Sequence, residues 1–246
     1  MRNLPIVTRY LLIANFMVYL LGLVLQQRLG FDLNGLCGLH YVTAPTFHFW
    51  QPITYMFLHA DFSHIFCNML AVLMFGPMIE REWGEKRFLI YYFVCGIGAA
   101  LVQEGVWSLM LANMSHHYDA ASLAYLASHL NTIGASGAVF GILFAFGWLF
   151  PNIPLFILFI PIPIRARVFV IIYALIELFA GLGSVAGLTA DHVAHFAHLG
   201  GLLFGWLLIL WWRHPEWKDK LFHRRHPRLD SSDDNRFGDY HYQKRV

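Results

Sequence analysis

Charge is scarce in this sequence. Asp, Glu, Lys and Arg make up 13% of its 246 residues, about half of the roughly 25% that a water-soluble domain carries. That shortage excludes a chain clothed entirely in water-compatible surface. Cysteine is scarcer still. Cys37, Cys67 and Cys95 are odd in number and far apart, which excludes a disulfide framework and a close-spaced zinc pair. No segment repeats at a fixed period. The first apolar run lacks a small-residue cleavage site and reads as a retained anchor, not a signal peptide. What abounds is hydrophobic side chain, 58% of the residues. These proportions point to an integral, mostly helical membrane protein.

A membrane-crossing helix needs about 20 predominantly apolar residues. Six segments are candidates, at roughly 10–26, 62–79, 88–112, 136–150, 168–188 and 192–212. They predict an all-α bundle of six transmembrane helices over 1–213, followed by a basic, polar tail at 214–246 that is expected to be disordered beyond Phe222. Residues 27–61 carry Trp50, Pro45, Pro52 and several histidines. They are too polar to span and too aromatic for a floppy linker, so they read as a partly immersed interfacial loop. Residues 113–133 form a second polar connection, with a possible short helix at Ala120–His129. The linker Pro151–Pro163, PNIPLFILFIPIP, is apolar and suggests interfacial packing.

Lys and Arg set the orientation. Arg2, Arg9, Arg81, Lys86, Arg87, Arg165, Arg167, Arg213 and the basic tail all fall on one side of a six-helix chain, and Arg28 alone falls on the other. Both termini are therefore expected in the cytoplasm, with 27–61, 113–133 and 187–191 outside.

The fourth span, opening NTIGASGAVFG, is short. Ser136 to Phe150 is 15 residues, about 22 Å at ~1.5 Å per residue, against a hydrocarbon core of ~30 Å. If Pro151 marks the cytoplasmic end, Ser136 lies several Å below the outer surface. The backbone before it must then dip into the membrane, which is tolerated only where it is buried in protein or lines a wet cavity. The first amides of that helix point toward anything negative. Ser136 is thus a helix cap, a small packing residue or a nucleophile.

Span six carries the candidate base. His198, Gly201 and Gly205 fall at i, i+3 and i+7 on one face. Gly137 and Gly141 give span four a matching small-residue seam, and small residues let helices approach closely. A Ser136–His198 contact follows, with His195 and His192 nearer the outside. Plain solvation and structural hydrogen bonds are the alternatives for these histidines. A metal cluster of His192, His195 and His198 with Asp191 is another, but HxxHxxH spreads around a helix because i+6 lies some 240° from i. In span two, His64 and Asn68 share a face at i and i+4. A buried Asn68 amide needs a partner. The partner is structural, or else Asn68 and His64 point into the cavity as oxyanion donors.

Together these residues resemble the rhomboid family of intramembrane serine proteases. Gly134-Ala135-Ser136-Gly137 is similar to the family's GxSG motif, His198 with Gly201 and Gly205 to its histidine helix, and His64 to Asn68, with His59 upstream, to its HxxxN helix. Glu80 to Gly84 looks like its ExxxG turn, and Phe49-Trp50-Gln51 resembles its first loop, with Gln51 where many members have Arg. The likeness covers roughly residues 5–212. It implies a Ser–His dyad without an aspartate: Ser136 as nucleophile and His198 as general base and acid, with His64, Asn68 and the Ser136 amide as oxyanion hole. Phe140 would stack on His198, where the family often has Tyr. Span five resembles the lateral gate and 187–191 the cap loop. The implied substrates are transmembrane proteins cut in or near the bilayer of the inner (plasma) membrane, from a site open to the extracytoplasmic side. No cofactor, metal or nucleic-acid partner is implied, and nothing sets an oligomeric state.

Two other functions compete. A rhomboid-like pseudoprotease binds membrane proteins without cutting them, but typically lacks the serine or histidine. A transporter would place polar groups near the midplane of several helices, where only Glu104 and Glu177 qualify; hydrogen bonding within the bundle is the expected role for both. His195 is given no catalytic role, and Asp191 sits too near the surface to orient a histidine.

Overall fold

The apolar runs fold as helices. The structure, a computed structural model, describes residues 4–157, 160–185 and 194–213. The expected cap loop 187–191, Asp191, His192 and the tail from 214 lie outside the described residues. The chain divides into two units, 1–211 and 212–246; of the second, only Trp212 and Arg213 are described.

Helix α1 (Ile6–Leu29) leads into a folded loop. That loop holds α2 (Leu33–Cys37), a short strand β1 (Leu39–His40), α3 (Gln51–Thr54) and a 3₁₀ turn at Tyr55–Phe57. Helices α4 (Phe62–Trp83) and α5 (Glu85–Met114) follow, then α6 (Ala120–His129) and β2 (Asn131–Thr132). The central α7 (Ser136–Leu149) comes next, then a hairpin of β3 (Pro154–Ile157) and β4 (Ile160–Arg165), and finally α8 (Ala166–Val185) and α9 (His195–Arg213). Five helices, α1, α4, α5, α8 and α9, are long and apolar enough to cross a membrane; α7 is the short, apolar sixth. The chain is a multi-pass membrane protein with a helical bundle.

Helix α7 is apolar on every face, and such a helix belongs inside. All its residues except Ser136, Phe144, Trp148 and Leu149 are buried, and it packs against α4, α5 and α8. The 27–61 loop is structured as expected and keeps exposed apolar side chains at Phe31, Leu36, Val42, Phe49 and Ile53. That is the surface an interfacial segment presents. Gln51 knits it together: its oxygen accepts from the His40 amide at 3.2 Å, and its nitrogen donates to the Leu36 and Thr46 carbonyls at 3.2 and 2.9 Å. Antiparallel pairing of β1 with β2, Leu39 opposite Thr132 and His40 opposite Asn131, ties this loop to the segment before Ser136.

The linker after α7, read from sequence only as apolar and interfacial, adds a small piece of β-structure to the helical bundle. It is an antiparallel hairpin, Pro154 opposite Arg165 and Leu155 opposite Ile164, with a bulge before Ile157 pairs with Ile160. Proline removes the N–H that a helix interior needs, and β-branched isoleucine suits a strand. Pro161 and Pro163 are two apart, so their missing donors fall on one edge of β4.

Glu80 ties the end of α4 to the start of α1. It is buried near the end of α4 and receives the amides of Val7 and Thr8 at 2.8 and 2.7 Å and the Thr8 hydroxyl at 2.7 Å. The carboxylate thereby satisfies the open amides at the start of α1 and sits at the positive end of that helix. Gly84, at φ 80°, then reverses the chain into α5. Glu80→Ala is expected to destabilise the bundle by about 2 kcal/mol, since a charged acceptor is lost and its donors stay buried. Thermal unfolding in detergent micelles measures this, and a midpoint equal to wild type would contradict it.

Candidate active site

The site begins with a backbone that only glycine tolerates. Gly134 has φ 137°, and a Cβ there would lie 2.8 Å from His64 Nε2 and 3.5 Å from Ser136 Oγ. Both atoms therefore face one small volume. The Gly134 amide donates to the Tyr55 carbonyl at 2.9 Å, and the Tyr55 hydroxyl donates to the Gly96 carbonyl at 2.6 Å. These bonds hold the turn as it enters α7 at Ser136.

Ser136 Oγ lies 2.8 Å from His198 Nε2. The two helices that carry them meet backbone to backbone. A methyl on Gly201 would land on the Gly137 carbonyl, and one on Gly141 would strike Cys95 with the Gly201 carbonyl 3.3 Å away. The Tyr91 hydroxyl donates to the Gly141 carbonyl at 2.9 Å and fills the space beside Gly205. The glycine seam read from spacing is thus a contact seam. Phe140 stacks on the His198 ring, centroids 4.2 Å apart and planes within 8°. The Tyr173 ring of α8 also packs against Phe140, centroids 4.9 Å apart.

His64 opens α4. Asp61 caps that helix, accepting from the His64 amide at 2.8 Å and the Ser63 hydroxyl at 2.6 Å. Those donors hold the Asp61 carboxyl below its ordinary value. The Ala60 amide approaches His64 Nδ1 at 3.4 Å. The His59 ring lies edge-on to His64, centroids 5.0 Å apart. Burial, and then the neighbouring His64, pushes His59 down to about 4, so this ring is neutral at pH 7. Asn68 is buried one turn below His64, and its Nδ2 meets no hydrogen-bond partner among the described residues.

Sequence reasoning missed the other side of His198. Glu177, in the middle of α8 and 6% exposed, places Oε2 2.9 Å from His198 Nδ1 and 2.7 Å from His195 Nδ1. The bundle hydrogen bonding expected for Glu177 is present, but its partners are the two histidines. The usable signal was the spacing Tyr173, Glu177, Gly181, one face of α8 with a carboxylate between an aromatic and a gap. At Gly181 the helices come close: a Cβ would lie 3.2 Å from the His195 Cβ. Glu104, in contrast, accepts from the Val42 amide at 3.0 Å and stays apart from the histidines.

Glu177, His195 and His198 offer three donor atoms within 4.8 Å of one another, a set that could hold a metal ion. It differs from the HxxHxxH set, since His192 lies outside the described residues. Two ligands of a tetrahedral zinc stand about 3.3 Å apart. The 2.7 and 2.9 Å contacts are instead hydrogen-bond lengths.

Comparison with known proteins finds a Rhomboid domain over residues 46–214. RHOMBOID-like protein 1 of Arabidopsis thaliana is 31% identical over 159 residues, 65% of this chain and 33% of that protein. Rhomboid protein 1, mitochondrial, of Saccharomyces cerevisiae is 30% identical over 156 residues, 62% of this chain and 40% of its own length. A putative rhomboid protease, YdcA of Bacillus subtilis, is 33% identical over 93 residues, 38% of this chain and 37% of that protein. The matched stretch spans only a third to two fifths of these relatives.

Proposed function

The chain belongs to the rhomboid family, and from that premise we propose that it is an intramembrane serine endopeptidase acting on transmembrane proteins. The observation that carries the proposal is Ser136 Oγ at 2.8 Å from His198 Nε2, at the mouth of a short buried helix.

In the proposed reaction Ser136 Oγ attacks the scissile carbonyl carbon while its proton passes to His198 Nε2. The carbonyl oxygen becomes an oxyanion. The Ser136 amide, the Asn68 Nδ2–H and the His64 ring N–H are its proposed donors, and His64 Nε2 shares one small volume with Ser136 Oγ. Imidazolium His198 then gives its proton to the peptide nitrogen as the C–N bond breaks. Water attacks the resulting ester, passing one proton to His198, which returns it to Ser136 Oγ as the acid product leaves. The unpartnered Asn68 Nδ2 supports this reading, because a buried amide without an acceptor is costly unless an acceptor arrives with the substrate. Phe140 holds the His198 ring by its face and supplies no hydroxyl.

The membrane domain is taken as 1–213 and 214–246 as a cytoplasmic tail, with both termini inside the cell, the protein in the inner (plasma) membrane and the site opening outward. The Lys and Arg distribution supports that orientation. A non-cutting, substrate-holding rhomboid is the competing reading, and one experiment separates them. A fluorophosphonate probe is expected to label the purified wild type and leave Ser136→Ala unlabelled. A wild type that takes no Ser136-dependent label would defeat the protease proposal.

A further inference from the structure

We infer that Glu177 is a positioning residue for His198, holding the ring in the tautomer that can take the Ser136 proton. The inference rests on the proposed protease reaction, in which Ser136 and His198 would need no third member. It comes from the contacts behind the ring.

One oxygen, Glu177 Oε2, lies at hydrogen-bond distance from Nδ1 of both His198 and His195. An ionised carboxylate can only accept. Each imidazole must then carry its hydrogen on Nδ1 and donate it to that oxygen. For His198 this leaves Nε2 with a bare lone pair, 2.8 Å from the Ser136 hydroxyl. The hydroxyl therefore donates to Nε2, the direction that proton transfer requires. With the tautomers reversed, Nε2–H would donate to Ser136 and could not take its proton, and the bare Nδ1 would face a carboxylate oxygen that can only accept.

The placement has physical support. All three side chains are buried. A lone carboxylate there would be costly to ionise, and two N–H donors on one oxygen offset that. His195, one turn before His198 on α9, is the second donor and keeps Glu177 an acceptor. When His198 becomes imidazolium, its charge forms 2.9 Å from the carboxylate, in a surrounding where such pairs are strong. Gly181, one turn beyond Glu177, gives α8 the clearance to bring the carboxylate in. The titratable groups near the pair are His195 on α9, Tyr173 on α8 and His64 on α4.

The test uses full-length protein in micelles with ¹⁵N-labelled histidine, the His198 signals being those lost in His198→Asn. Wild type at pH 7 is expected to show His198 protonated at Nδ1 and bare at Nε2. In Glu177→Gln, a neutral isostere, kcat is expected to fall roughly 10²-fold with KM within about twofold. A merely structural glutamate would not fix the tautomer. Wild-type His198 bare at Nδ1 would overturn the inference even if the Gln variant fails to fold. So would a Gln variant with wild-type kcat. Loss of the protease reading shows separately, as absence of Ser136-dependent fluorophosphonate label in wild type.

Discussion

Ser136→Ala and His198→Ala are each expected to lower cleavage of a single-span reporter by roughly 10⁴-fold or more, and the double variant is expected to fall no further. The first removes the atom that forms the new bond, and the second removes the site that receives its proton. Neither half works without the other, so their effects do not multiply. Structure should survive both changes. Ser136→Ala deletes one oxygen at the start of α7, while Gly134, Tyr55 and the β1–β2 pairing continue to hold the turn. His198→Ala also strips the partner from Phe140, so its folding is checked by unfolding midpoint. The residual rate measures what the oxyanion donors do alone. A Ser136→Ala variant that retains a tenth of the wild-type rate, or a double variant whose losses multiply, would refute the assignment.

The second large effect belongs to Gly201. A methyl there would land on the Gly137 carbonyl oxygen, and backbone cannot turn aside as a side chain end can. Gly201→Ala is expected to cost about 3 kcal/mol or more, the upper range for overpacking. Unfolding in detergent reads the loss, and a fluorophosphonate label reads the site. Gly105→Ala is the control. It lies inside α5 with nothing within 4 Å of an added Cβ, so alanine there should raise stability by about 0.5–1 kcal/mol through helix propensity alone. If Gly201→Ala unfolds no earlier than wild type, the two helices are not in backbone contact.

Much of this architecture is legible without coordinates. Lipid thickness and chain length turn apolar runs into helices, and the shortness of the fourth run puts Ser136 at the mouth of a buried helix. Small residues four apart on that run, and at i+3 and i+7 from His198, pair the two helices. The helix at Ala120–His129 is capped by Asp119, which accepts from the Ser122 amide at 2.7 Å, a local pattern that sequence displays. Two features resist such reading. The hairpin at 154–165 comes from an apolar run whose prolines exclude helix but whose pairing depends on a register set by its bulge. Glu177 meets His198 across 21 residues, on separate helices. Local spacing places the carboxylate on a face, and only the packing of α8 against α9 chooses what it meets.

The contact of Gly201 with Gly137 has one more consequence. Where Gly201 meets Gly137, main chain rests on main chain with no side chain of either residue to re-rotamerise, so the gap between hydroxyl and imidazole is gauged there by atomic radii along the backbone. Such a joint has few intermediate settings: it is seated or it is apart. Heat, harsh detergent or a distant destabilising substitution should then thin the population of competent molecules without retuning those that remain. Turnover counted per fluorophosphonate-reactive serine would stay constant while the number of reactive serines declines.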